Sequence, residues 1–188
     1  MKRLLLIILM FLFSIPCFAE NDLSRQAVAF YSDNNLNKTL DTLLQIEEQN
    51  RTPQDWLLLG NLMEEKGELN SAVYMYQKAI STDKKYYKSY YNLGNIYLND
   101  EKYALAVENY NKGLKYNKTN PYLYYNLSCA YLKQGKIKKA KSNLIKALDL
   151  KNDIPEIHYN LAYVYKSLNN KKLAEVYLNN YNKLISDN

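Results

Sequence analysis

Hydrophobic and polar positions along this chain repeat with a period of 34 residues. Tyr90-Tyr91-Asn92-Leu93 returns as Tyr124-Tyr125-Asn126-Leu127 and as His158-Tyr159-Asn160-Leu161, and Trp56-Leu57-Leu58-Leu59 stands one period earlier. A fixed period of this length marks an array of units, each too small to bury its apolar face alone. After each cluster comes a small residue, Gly60, Gly94, Ser128 or Ala162, and twelve residues later a second one, Ala72, Ala106, Ala140 or Ala174. That spacing predicts two helices per period, touching where small side chains let the axes come within about 8 to 10 Å.

The structure breakers fall into the same register. Pro53, Pro121 and Pro155 each open a first helix, where the missing N–H costs nothing. Gly67 and Gly135 fall in the turn between paired helices, where a positive φ is easiest for glycine. Helix pairs turning near Gly67, Asp100, Gly135 and Asn169 are expected, with Leu93 inside the packed pair and no strands.

These residues, with Tyr97, Tyr131 and Tyr165 three after the small residue and Tyr76 and Tyr110 four after the alanine, make the chain resemble the tetratricopeptide repeat. Tyr97, Tyr110, Tyr131 and Tyr165 fall at helix-packing slots and are read as core. Four full repeats are read at 53–86, 87–120, 121–154 and 155–188. A degenerate one is read at 20–52, where Leu23, Ala27, Phe30, Thr39, Leu43 and Ile46 take the slots of Trp56, Gly60, Met63, Ala72, Tyr76 and Ala79. The resemblance implies an all-α fold, an α-solenoid of about ten antiparallel helices forming a right-handed superhelix. Departures from the pattern are Leu144 and Leu178 in the slot of Tyr76 and Tyr110, and Tyr181 in the slot of Ala147. The last repeat shows no further helix to cover its second one, so either that end is polar enough or something docks there.

In this family the first helices line the concave surface. The resemblance therefore implies a peptide-binding groove made by Lys88, Tyr91, Asn92, Asn95, Tyr125, Asn126, Tyr159 and Asn160. An amide carries both donor and acceptor, so a ladder of them suits the backbone of an extended peptide, and flanking rings add rigid apolar area. Part of the family clamps a peptide's terminal carboxylate with groove lysines. Lys88 is the one groove cation of that kind here, which disfavours that specialisation.

Residues 1–19 break the register. Lys2 and Arg3 precede an apolar run from Leu4 to Phe13, followed by Ser14, Pro16 and Ala19, the layout of a secretory signal peptide cleaved after Ala19. The alternatives are a membrane anchor made by residues 1–19 and a lipid on Cys17, against which Pro16 stands where a small residue is expected. Export points to the bacterial periplasm. Removal of Cys17 leaves Cys129 alone, so no internal disulfide is expected.

Composition changes the picture only in what it excludes. With 23% charged residues, 20 tyrosines, five glycines and four prolines, the chain suits helices joined by short turns and leaves no glycine for a phosphate loop. Its single histidine, His158, occupies the slot of Trp56 and Tyr124 and is read as packing. Without a convergent acid–base or ligand set, no enzyme activity, cofactor or metal is expected. The formal charge of +6 is uneven. Residues 20–86 hold eleven acidic and seven basic residues, whereas 87–188 hold eight acidic and sixteen basic. Lys133, Lys136, Lys138, Lys139 and Lys141 gather at one turn; export removes nucleic acid as their partner and leaves a solvated surface or a weak contact with an anionic membrane surface or acidic protein.

The reading is an exported, non-enzymatic scaffold of the cell envelope that binds a protein or peptide segment along its groove. The alternatives are a subunit that forms a homo-oligomer through its uncovered C-terminal end, or an accessory subunit that positions an envelope enzyme.

Overall fold

The computed structural model describes residues 22–187, all of them in helices, turns and short loops. The expected signal peptide at 1–19 lies outside the described residues. Chain contacts divide the molecule into two units, Met1–Lys84 and Lys85–Asn188.

The first unit begins with α1, residues 22–32, and α2, Leu36–Leu44, followed by a 3-10 turn at Glu48–Asn50. Then come α3, Pro53–Glu65, and α4, Leu69–Thr82. Pro53 starts α3 behind a capping box in which Thr52 Oγ1 accepts from the Asp55 N–H and Asp55 Oδ2 accepts from the Thr52 N–H. Two orphan donors at the helix start are thereby satisfied at once. Asp55 also accepts from Ser24 Oγ at 2.9 Å, which ties α1 to α3.

The second unit holds three helix pairs. They are α5, Tyr87–Asn99, with α6, Tyr103–Tyr116; α7, Pro121–Lys133, with α8, Ile137–Leu150; and α9, Pro155–Ser167, with α10, Lys171–Ser186. Besides its partner in the pair, α7 packs on α6 and α9 packs on α8. Asn120 caps α7, accepting from the N–H groups of Tyr122 and Leu123.

One left-handed residue reverses the chain within every pair. Gly67 and Gly135 have φ of +76° and +70°, and Asn34, Glu101 and Asn169 hold the same position at +56° to +63°. The residue after Asn34, Gly67, Gly135 and Asn169 then donates its N–H five residues back, from Glu68 to Met63 O at 2.8 Å for example, closing the first helix in a Schellman turn. The first pair, α1 with α2, makes the same turn 33 residues before the second, although its α2 spans only 9 residues against 14 in α4.

Inside each pair a small residue faces a large one. Tyr76 and Tyr110 are fully buried, and their rings lie so close to Gly60 and Gly94 that a Cβ there would sit 2.5 Å from Tyr76 Cδ1 and 2.6 Å from Tyr110 Cδ1. In the next pair Ser128 goes with the shorter Leu144, which is also fully buried. The core of α7 with the pair before it consists of Leu123, Leu127 and Ala130 against Ala106 and Tyr110. That of α9 consists of Ile157, Leu161 and Val164 against Ala140, Leu144 and Ala147. Tyr97, Tyr131 and Tyr165, read from the sequence as core, are half-buried rather than sealed.

Candidate functional site

A polar ladder runs along the first helices of the second unit. On α5, Asn95 follows the packing Gly94 directly, and its Oδ1 accepts the hydroxyl of Tyr110 from α6 at 2.8 Å. The same oxygen accepts Asn126 Nδ2 from α7, also at 2.8 Å. Burial drives the Tyr110 hydroxyl far above the ordinary phenol range, so it is a permanent donor to this amide. Three elements are thus joined at one oxygen, whose two lone pairs are both used.

One period later the arrangement recurs with sulfur in place of the amide. Cys129 stands in the slot of Asn95, and Asn160 Nδ2 on α9 approaches its Sγ at 3.6 Å. Burial pushes the thiol's pKa up, and burial with the neighbouring thiol pushes Tyr125 up as well. This cysteine packs as a small polar residue with its proton held, in an environment opposite to that of a reactive thiolate.

The eight residues expected to line a groove therefore divide. Asn95 and Asn126 meet directly, with Tyr91 set at 6.3 Å from the Tyr110 ring. Tyr125 and Asn160 gather around Cys129. Asn92 is half-buried on α5, Lys88 is exposed near the start of that helix, and Tyr159 is 54% exposed on α9. Asn126 and Asn160 each direct an amide N–H to the preceding pair, Asn126 to Asn95 with the Tyr110 hydroxyl beside it and Asn160 to Cys129 with the Tyr125 hydroxyl beside it. Asn95 keeps its amide nitrogen. Two amides of the row, Asn126 and Asn160, join one pair to the next. Tyr110 and Cys129 belong to this ladder, although the sequence marked the first only as core. Their spacings, 15 residues from Asn95 to Tyr110 and 31 from Asn95 to Asn126, are the legible signal.

His158 is buried and gives its Nε2 proton to the Asn152 carbonyl at 2.8 Å, with its ring 6.0 Å from that of Tyr177. It packs under the last pair, as its slot suggested. Among the described residues no three of His, Cys, Asp and Glu gather in a way that could hold a metal ion. Likewise, no described helix is long and apolar enough to cross a membrane. On α8, the ammonium groups of Lys139, Lys141 and Lys146 lie over the rings of Tyr131, Tyr165 and Tyr124 at 5.6 to 5.8 Å, within reach of a cation–π attraction.

Comparison with known proteins gives a consistent picture. The family model described as the tetratricopeptide repeat protein 21 C-terminal ARM domain matches residues 32–162, and a tetratricopeptide repeat model matches 155–188. No curated protein matches the sequence. Among solved structures, MamA 41-end from Desulfovibrio magneticus RS-1 is similar with a TM-score of 0.75 and 17% identity, over 92% of this chain and 96% of that one. MamA MSR-1 has a TM-score of 0.72 and 19% identity, over 90% and 98%. At such identities the likeness is one of fold.

Proposed function

Since the chain belongs to the tetratricopeptide-repeat family, we propose that it is a non-enzymatic scaffold of the bacterial envelope that holds an extended protein segment along the first helices of its repeats. The observation that carries this reading is the row of half-exposed amides on α5, α7 and α9, at the spacing of the repeat. An extended chain offers N–H and C=O groups in alternation; Asn126 and Asn160 carry both a donor and an acceptor, and Asn95 offers its amide N–H groups. Tyr91 and Tyr125 supply flat apolar borders, and Lys88 adds one cation near the start of α5. Placement in the envelope rests on the leader at residues 1–19, with cleavage after Ala19. Amino-terminal sequencing of the exported form is expected to begin at Glu20, and a lipid found on Cys17 would move the protein to a membrane surface.

The groove is best tested at Asn95, because removing Asn126 would also cut its link to the preceding pair. Asn95→Asp keeps an oxygen for the Tyr110 hydroxyl and for Asn126 while removing the amide donors that a ligand would use. With a segment of an envelope protein recovered by pull-down, titration calorimetry should show binding weakened about threefold to tenfold, the worth of one ordinary hydrogen bond. Lys138 and Lys139 changed together to Gln should weaken binding less, and only at low salt, because exposed charges are screened within about 8 to 10 Å. Should the lysine pair dominate and Asn95→Asp leave binding unchanged, recognition belongs to α8 and the groove reading is wrong.

A further inference from the structure

The last helix pair keeps the register of the pairs before it and lacks their cover. Ala72, Ala106 and Ala140 are fully buried, but Ala174 in the same slot is half-exposed. Leu144 is sealed, whereas Leu178 is 42% exposed. None of the 16 residues of α10 is buried, although α4, α6 and α8 each bury at least three. Between α9 and α10 lies a cleft of about 630 Å³, with Tyr159, Ala162 and Tyr163 on one wall and Ala174 and Leu178 on the other. Lys166, Lys171 and Glu175 also border it.

The pairs within the second unit show what such a surface takes. The face of α5 and α6 seats α7 through Leu123, Leu127 and Ala130, with Asn126 reaching Asn95. The face of α7 and α8 seats α9 through Ile157, Leu161 and Val164, with Asn160 at Cys129. Gly113 and Ala147 leave room for the first of those side chains: a Cβ on Gly113 would come within 2.9 Å of Leu123 Cδ2. In the last pair this slot holds Tyr181, whose ring stands 5.3 Å from that of Tyr159, and the slot of Asn95 and Cys129 holds Tyr163. The seat is the same shape partly filled by rings. It excludes a helix with leucine or isoleucine at the first position and suits one with small or polar side chains there.

Helix α1 has those side chains. In the repeat register its residues at the slots of Leu123, Asn126, Leu127 and Ala130 are Asp22, Arg25, Gln26 and Ala29, all four exposed. Charge favours the same match, since the net excess is acidic over residues 20–86 and basic over 87–188. Seated in register, α1 brings short Asp22 beneath Tyr181, Arg25 over the ring of Tyr163 as Asn126 reaches Asn95, and exposed Asp33, at its carboxyl end, toward Lys166 and Lys171.

We infer that the cleft between α9 and α10 is a docking seat for helix α1 of a second copy of this chain, joining copies head to tail. Such a contact uses different surfaces on the two partners, so it propagates into rings or open assemblies instead of stopping at a two-fold dimer. It uses none of the amides of the row, although Tyr159, counted with the groove, also lines the cleft.

The test uses the exported chain and two variants, each blocked at one end by a change at an exposed position. Ala29→Arg places a long cation in the middle of the α1 face, and Tyr163→Lys puts a cation in the seat opposite Arg25. Sedimentation velocity from about 1 to 100 µM should show the unchanged chain growing beyond monomer with concentration, and dissociating as salt rises from about 50 to 500 mM. Each variant alone should associate at least about tenfold more weakly. Mixed together, the two should form a one-to-one dimer that grows no further, because one free seat and one free α1 remain in the mixture. Should either variant fail to keep the parent's circular dichroism, Gln26→Trp and Leu178→Asp replace the pair. A monomeric parent over the whole range overturns the proposal. So does a dimer of Ala29→Arg with itself, which would make the contact two-fold between C-terminal ends.

Discussion

Gly94→Ala should destabilise the protein by about 2 to 4 kcal/mol, although it adds a single methyl group. That methyl would lie 2.6 Å from Tyr110 Cδ1, inside the ring's van der Waals contact. Tyr110 is fully buried between α5 and α6 and has no open side to move into. Overpacking of this kind costs about 1 to 3 kcal/mol. A displaced ring also loses its hydroxyl's bond to Asn95, worth about 1 kcal/mol more. The third full pair shows the remedy, because Ser128 coexists there with Leu144. Adding Tyr110→Leu to Gly94→Ala should therefore recover more than half of the loss, and Tyr110→Leu alone should be harmful. Urea unfolding of the four forms measures the coupling directly. Additive losses would show that Gly94 and Tyr110 do not share the space.

Leu127→Ala should cost about 2 to 5 kcal/mol, the range for a buried leucine whose surroundings collapse only in part. Leu127 is 2% exposed and packs with Leu123, Ala130, Ala106 and Tyr110, so the cavity would open between α7 and the pair before it. Leu93, one period earlier, is 3% exposed at the same slot. Leu44→Ala is the matching control, with the same atoms removed from a side chain 61% exposed on α2. It should change stability by less than about 0.5 kcal/mol. Equal effects at Leu44 and Leu127 would place the helix faces in the wrong register.

Much of the candidate site was legible because the repeat ties a residue's slot to its direction. Asn126 and Asn160 share a slot, and both point toward the preceding pair. What the slot does not say is where an amide's two N–H groups go. A row of asparagines facing a ligand and a row facing a neighbouring helix have the same spacing, since both partners lie beside the first helix. Tyr110 was legible as core from its periodicity, yet its hydroxyl's role depends on an oxygen 15 residues away. Cys129 was legible only as the residue after a small one, and its place as a stand-in for Asn95 appears when the two ladders are laid side by side.

By itself the sequence determined what is local or strictly periodic. Proline at the first helical position, glycine in two of the turns and small residues at the helix crossings act through backbone geometry within a few residues, so their positions suffice to place the helices and the all-α fold. Tertiary structure decided what depends on how much of a side chain a distant segment covers. Tyr125 and Tyr159 occupy one slot, and the first lies half-buried against the pair that follows while the second is 54% exposed. The same residue type in the same register is core or surface according to whether another helix lies against it, and no local pattern records that. For the same reason the seat between α9 and α10 is visible only once the cover that the earlier pairs enjoy has been seen in three dimensions.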